Sequence, residues 1–400
     1  MLDRPQPGYR WWILALATVT GTFVSAIPLS CMPVLFKEIS DDLGLNIVQI
    51  GTVWGLGNLA GIFVSIIAGL LSDRFGTRRI LSIFCVLVGI TGALRGLSDG
   101  FFVLTVTVFI NGIVRLVVPI TVTKTIGLWF REKNLGLAIG IGAMGMGFGL
   151  MLGPMISATV MSPALGGWRN VMYFYGAISA LVGILWAFFG REPEMMLASA
   201  SGSAVPLRQA LSRLIRLKAL WFLGLTMLFR VGCLMGMTGY LPLYLLNKGW
   251  TEVSADGTLA AFYAISTVCV VPLAYLSDRL GSRKVILYPA VVTGIVCVGV
   301  LPFVDGALVW AMILITGIFM DIYMSLITTM LLETEGVGPV YSGTALGIVF
   351  TIAHVGSVSS PPLGNSLEAI SPGTPFLFWA ALSVVSLVVL FFVRETGSKK

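Results

Sequence analysis

The sequence predicts an all-α, polytopic membrane protein of twelve transmembrane helices in two pseudo-symmetric six-helix bundles. Three observations carry that prediction. Of 400 residues, 57% are hydrophobic and 11% charged, whereas a soluble domain holds about half apolar and about a quarter charged residues. Apolar runs of about 20 residues or more, enough to cross a bilayer, follow one another along the chain. Finally, LSDRFGTRR at Leu71 to Arg79 returns as LSDRLGSRK at Leu276 to Lys284, which marks the chain as an internal repeat. The runs read as helices because backbone N–H and C=O groups in hydrocarbon must find partners within their own segment.

The first run starts at Trp11, after Arg4 and Arg10, and continues to Phe36. It is too long for a signal-peptide core and lacks a small-residue cleavage site, so it is expected to be retained as a span. Val48 to Leu71, Ile80 to Leu97, Phe101 to Leu128, Leu135 to Val160 and Asn170 to Phe189 complete the first half. Ala219 to Leu246, Thr258 to Leu276, Val285 to Phe303, Ala307 to Leu332, Tyr341 to Leu363 and Pro375 to Val393 form the second. Between them, Arg191 to Lys218 is the only long polar stretch. The expected domains are therefore 1–190, a cytoplasmic linker over 191–218, and 219–400. Leu207, Leu211 and Leu214 fall at helical spacing opposite Arg208, Arg213 and Arg216, the pattern of an interfacial helix lying on anionic lipid.

The net charge of +7 would suggest nucleic acid in a soluble protein. Here the Lys and Arg residues sit between apolar runs, where they set orientation, and no nucleic-acid partner is expected. With both termini placed in the cytoplasm, about 18 of the 25 Lys and Arg residues fall on the cytoplasmic side. That distribution predicts a multi-pass protein of the cell (inner) membrane, monomeric, with the lipid bilayer as its surroundings. Cys31, Cys85, Cys233, Cys269 and Cys297 lie inside apolar runs without CxxC or His spacing, so neither a disulfide framework nor a metal site is expected. No zinc-protease, nucleophile-elbow or Walker pattern stands in a loop, so the chain reads as no enzyme, without catalytic residues or cofactors.

The duplicated loop carries a resemblance to a known family. Gly69, Asp73, Arg74, Gly76, Arg78 and Arg79 match the G-x-x-x-D-R-x-G-x-[RK]-[RK] pattern that follows the second helix of major facilitator superfamily transporters. Asp278, Arg279, Gly281, Arg283 and Lys284 match it in the second half, with Ala274 where the first glycine would be. The resemblance covers nearly the whole chain. It implies two bundles rocking about a central site, with Asp73, Arg74, Arg78, Asp278, Arg279 and Arg283 as gating groups. A role confined to topology is the simpler alternative for these charges. Gly149 to Pro154 is also similar to the family's exchanger-associated G-x-x-x-G-P-x-x-G-G, but Ser157 and Ala158 replace its closing glycines, so antiport does not follow.

The fifth span contains a formal G-x-G-x-x-G at Gly140, Gly142 and Gly145. A dinucleotide site needs a preceding strand, which an apolar helix does not supply. Gly145, Gly149 and Gly153 instead recur every four residues, as a stripe for close helix packing, and Gly57, Gly61, Ser65 and Gly69 do so on the second span.

Three ionisable residues fall near mid-span: Arg115 in the fourth, Arg230 in the seventh and Asp321 in the tenth. A charge there costs about 2.5 to 3.5 kcal/mol on insertion scales, so such groups face a cavity or a partner. In the family that the chain resembles, the first, fourth, seventh and tenth helices line the cavity. Thr18, Thr22, Ser25 and Ser30 on the first span add neutral hydrogen-bonding groups, and Asn111 stands one turn before Arg115. The family's arginine early in the fourth helix is replaced by Val108 here. Arg115, Arg230, Asn111 and Asp321 are thus expected to bind substrate, with Asp321 pairing to one arginine when the site is empty. A purely structural Arg–Asp bridge is the alternative. Asp321 and His354 are the proton-coupling candidates, although a lone His among small residues also serves as a helix-packing hydrogen bonder.

Two cations against one carboxylate call for an anion, since guanidinium matches carboxylate or phosphate bidentately. The expected function is a secondary transporter of a small organic anion, a carboxylate, by alternating access, with proton symport one option. A drug:proton antiporter exporting amphipathic compounds, and a membrane sensor that binds without moving its ligand, remain alternatives.

Overall fold

The computed structural model describes residues 8–59, 61, 64, 71–72, 75–130, 135–191 and 207–396. All regular structure among them is helical. Eleven helices are long and apolar enough to cross a membrane: α1 (Tyr9–Leu43), α3 (Thr77–Leu97), α4 (Phe101–Trp129), α5 (Leu137–Leu165), α6 (Trp168–Phe189), α7 (Lys218–Asn247), α8 (Glu252–Leu280), α9 (Lys284–Phe303), α10 (Ala307–Glu333), α11 (Thr344–Ala369) and α12 (Thr374–Phe392). A shorter apolar helix, α2 (Ile47–Leu56), begins where the second span is expected. The rest of that span, including Ser65 and Gly69, lies largely outside the described residues, as do Asp73 and Arg74 of the duplicated loop. The expected all-helical, many-span architecture is present. α1 and α8 extend beyond their predicted ends, because Lys37, Glu38, Asp41 and Asp42 on α1, and Glu252 and Asp256 on α8, are polar turns that composition alone reads as loop.

Local chemistry sets the ends. Gly44 at φ 63° closes α1, and Gly281 at φ 63° closes α8, in the left-handed region where a Cβ is unwelcome. Asn46 and Gln49 form a reciprocal capping box that starts α2. At the start of α9, Glu395 accepts from Ser282 Oγ at 2.6 Å and from the backbone N–H groups of Arg283 and Lys284 at 3.0 Å each, satisfying donors that a helix N-terminus leaves free.

Residues 1–44 and 63–203 pack as one unit, and residues 45–62 and 204–400 as another. In the first unit, α3 and α6 meet at a glycine seam, where a Cβ on Gly89 would lie 2.5 Å from the Gly176 carbonyl and one on Gly176 would lie 2.7 Å from that of Gly89. The stripe on α5 meets α1: a Cβ on Gly145, Gly149 or Gly153 would fall 2.4 Å from Thr18 Cγ2, 2.6 Å from Ala26 Cβ or 2.1 Å from Ser30 Oγ. Trp186 is fully buried in this core and donates to Thr20 Oγ1 at 2.8 Å.

In the second unit, α2 lies against α11, with Gly51 facing Pro361, Gly55 facing Val358 and Gly61 under the His354 ring. Trp54 Nε1 donates to the Met235 carbonyl at 2.9 Å, tying α2 to α7. Tyr240, Tyr244, Phe376 and Trp379 form a connected aromatic cluster between α7 and α12. The linker ends in the helix Leu207–Leu214, whose Leu214 is buried while Leu211 is 37% exposed.

Candidate functional site

The first unit holds a cationic cluster built from α1, α3 and α4. Arg115 lies midway along α4, about 21 Å from either end at 1.5 Å per residue. It is buried, yet it makes no hydrogen bond or ion pair with a described residue. One turn away, Asn111 donates to the Val88 carbonyl at 3.3 Å and to Thr91 Oγ1 at 3.0 Å, anchoring α4 to α3. Pro119 lies one turn beyond Arg115 within the same helix.

The structure adds Arg95, which the sequence places at the outer end of the third span. Its side chain is 3% exposed: Nε donates to Gly92 O at 3.1 Å and Nη1 to Pro28 O on α1 at 3.4 Å. Arg95 Nη2 and Asn111 Nδ2 both converge over Gly92, 3.4 and 3.6 Å from where a Cβ would stand. Arg95 and Arg115 are electrostatic neighbours that repel one another, with the Cys31 thiol beside both. Neither has a carboxylate partner among the described residues. Two buried guanidinium groups thus lie here without a counter-charge among the described residues, while both amide hydrogens of Asn111 are spent on α3. The signal in the sequence was the tight turn at Ser98 to Gly100, which folds the end of α3 back along α4; an arginine flanking a span reads equally well as an interfacial anchor.

The hydroxyls of the first span mostly serve packing. Thr22 Oγ1 donates to Gly145 O at 2.7 Å and Ser30 Oγ reaches Gly149 O at 3.4 Å, both on the glycine stripe, while Thr18 bonds its own helix at Leu14 O. Ser25 Oγ is buried without a partner among the described residues, inside a π-helical segment, Gly21–Ala26, which interrupts α1. Such segments often accompany functional sites.

In the second unit, α10 breaks at Phe319 into Ala307–Ile318 and Met320–Glu333. Asp321 stands in the first turn after the break, where the positive helix end favours its carboxylate, and its backbone N–H donates to Ser266 Oγ at 3.0 Å. The expected pairing with an arginine is not seen: Asp321 makes no ion pair among the described residues. Arg230 is fully buried inside the second unit, beside Gly294 of α9, Tyr323 of α10 and Ser383 of α12. His354 Nδ1 meets the Phe350 carbonyl at 2.7 Å and its ring covers Gly61, an arrangement of helix packing. Asp256 near the start of α8 is 1% exposed, with neither carboxylate oxygen partnered among the described residues, a buried acid that the shorter predicted span left in a loop.

The second copy of the duplicated loop is an ion network. Arg283 pairs with Asp278 and, at 2.9 Å, with Glu333 on α10. Those two acids, Glu333 foremost, hold its guanidinium above the ordinary range. Arg279 is exposed. In the first copy, Arg78 donates to the Ala187 carbonyl on α6.

Known proteins of similar sequence and fold agree with this architecture. The Major Facilitator Superfamily profile matches residues 18–335 and 258–400. The chain is 24% identical over 298 residues to the "Probable nitrate/nitrite antiporter NarK1" of Thermus thermophilus, covering 72% of this chain and 65% of that protein. It is 26% identical over 256 residues to the "Nitrite extrusion protein" of Bacillus subtilis, covering 64% and 62% respectively. The matches thus span less than two thirds of the length of these two relatives. The "Gallate transporter" of Pseudomonas putida is 23% identical over 420 residues, covering 94% of this chain and 89% of that protein. Among solved structures, a point mutant of the nucleoside transporter NupG superposes with a TM-score of 0.80 at 12% identity over 95% of this chain and 99% of that one. A bacterial homologue of the human lysosomal transporter Spinster, inward-facing and unoccupied, gives 0.79 at 17% over 98% and 96%. Together with the duplicated loop and the succession of apolar helices, the profile match places this chain in the major facilitator superfamily.

Proposed function

We propose that the protein is a secondary transporter of a small anion and that Arg95 and Arg115 of the first unit contact the transported solute, with Asn111 bracing α4 against α3. The observation that carries this reading is the pair of buried guanidinium groups without a carboxylate among the described residues. The uncompensated charge of Arg115 costs about 2.5 to 3.5 kcal/mol at mid-membrane, and an anion that binds both arginines offsets that cost. The relatives named for nitrate, nitrite and gallate move anions, which fits the same charge logic. An amphipathic cation would meet two like charges, so the exporter reading is the weaker one.

On this reading the substrate is a carboxylate or an oxyanion of similar size, moved by alternating access in a cell membrane with both termini cytoplasmic. The loop charges Asp73, Arg74, Arg78, Asp278, Arg279 and Arg283 serve as gating groups. Asp321 at the break in α10, rather than the packed His354, is the better proton-coupling candidate. The test is uptake into proteoliposomes of labelled nitrate, nitrite and a panel of small carboxylates, for wild type and Arg115→Gln. Uptake of at least one anion that is lost in Arg115→Gln is expected. Transport of a lipophilic cation with no anion taken up refutes the proposal.

A further inference from the structure

Arg230 belongs to the core of the second unit. It lies about 18 Å along α7 from Lys218, with no exposed surface, enclosed by α9, α10 and α12 of its own unit. None of its three guanidinium nitrogens has a hydrogen-bond partner among the described residues. The Cys233 and Cys297 sulfurs lie nearby without completing a bond of normal geometry. The surrounding core holds three more polar atoms without a partner among the described residues: Thr226 Oγ1 one turn before Arg230, Tyr323 Oη and Ser383 Oγ. Arg230 Nη1 and Ser383 Oγ converge over Gly294, 1.9 and 2.8 Å from the point a Cβ would occupy. The Tyr323 ring stands 5.8 Å from the guanidinium carbon.

Six unsatisfied polar atoms from three helices, gathered round a buried cation, are not how an empty core is built: buried donors find partners, and a buried charge finds an opposite one. All three uncharged groups are hydroxyls, able to donate, and no carboxylate among the described residues pairs with Arg230. We infer that this chamber holds a resident small monovalent inorganic anion, of halide or nitrate size, bound by Arg230 with Tyr323, Ser383 and Thr226, as a structural counter-ion of the second unit distinct from the transported solute. The site is closed to solvent, so its anion exchanges only when α7, α9, α10 and α12 part. Water would satisfy the hydroxyls but leave the charge uncompensated. The inference is independent of which solute is carried.

The test uses the full-length purified protein in a gluconate background, where the bulky anion does not enter. Melting is followed against added bromide for wild type, Tyr323→Phe, Ser383→Ala, Arg230→Gln and Arg115→Gln, and crystals grown in bromide are examined for anomalous scattering. Wild type should gain melting temperature saturably, with an anomalous peak beside the Arg230 guanidinium. Tyr323→Phe and Ser383→Ala should weaken apparent bromide affinity about tenfold each, the worth of one hydrogen bond to a charged group. Arg230→Gln should lose the saturable response, and the two milder variants decide the matter if it does not fold. Arg115→Gln should keep it, which separates this site from the transport cluster. A wild type that melts independently of bromide, a response lost in Arg115→Gln but kept in Arg230→Gln, or a chamber without an anomalous peak overturns the inference. Bromide-independent melting combined with collapse of Cys233→Ser would assign the counter-charge to a thiolate instead, and equally overturn it.

Discussion

Substituting Gly149 by Ala adds one methyl group where α5 and α1 touch. That carbon would stand 2.6 Å from Ala26 Cβ, 2.7 Å from the Thr22 carbonyl oxygen and 3.0 Å from Thr22 Cα. Carbon atoms settle at about 3.5 to 4.0 Å, so the helices must separate by about 1 Å, and backbone atoms leave no side chain to swing aside. Separation by that amount would stretch the Thr22 Oγ1 to Gly145 O bond from 2.7 Å and the Ser30 Oγ to Gly149 O contact from 3.4 Å beyond bonding distance. Overpacking costs about 1 to 3 kcal/mol and each lost interhelical bond in a membrane about 0.6 kcal/mol. The expected loss is thus about 2 to 4 kcal/mol, read as a fall of about 2 to 5 °C in the melting temperature of the detergent-solubilised protein. Gly140→Ala on the same helix is the control, since nothing lies within 4 Å of its Cβ position; it should be neutral or slightly stabilising through helix propensity. If the two variants melt within about 1 °C of each other, on the scale of that shift, α5 and α1 are not in close contact at Gly149.

Further outcomes follow from the same geometry. Arg95→Gln should raise the KM for the transported anion about tenfold or more, the effect of removing one charged hydrogen-bond donor, while Lys37→Gln, half-exposed on α1 and paired with Asp41, should leave uptake unchanged; equal effects would deny Arg95 a role in the site. Trp54→Phe removes the 2.9 Å bond to the Met235 carbonyl and should lower stability by about 0.6 to 1.5 kcal/mol in thermal melts. Glu395→Ala removes the three bonds it accepts at the start of α9 and should cost about 1 to 2 kcal/mol, with Glu395→Gln milder; an unchanged melt for both would contradict the capping role.

Much of the cluster in the first unit was legible from residue type alone. Arg115 and Asn111 announce themselves because a charge or amide amid apolar residues must face a cavity or a partner to be tolerated there. Arg95 did not, because an arginine beside a span is compatible with a headgroup, a loop or a buried site. Asp256 was hidden for a related reason: α8 begins six residues before the apolar run that marks it. The α3–α6 seam at Gly89 and Gly176 went unread because it pairs single glycines on two helices, whereas the α5 stripe repeats within one.

By itself the sequence determined that this chain enters a membrane as many helices, that its halves are related, and which polar residues lie between their ends. Those properties depend on the length and composition of contiguous runs, because insertion is a local transfer of each segment from water to hydrocarbon. Only the tertiary structure decided the surroundings of each charge within its unit: Arg95 beside Arg115, Arg230 buried beside Gly294, Asp321 in the first turn after a helix break. Helix rotation and contact are set by packing between segments distant in the chain, where one glycine or one kink moves a guanidinium from lipid to core, and no local pattern encodes that choice.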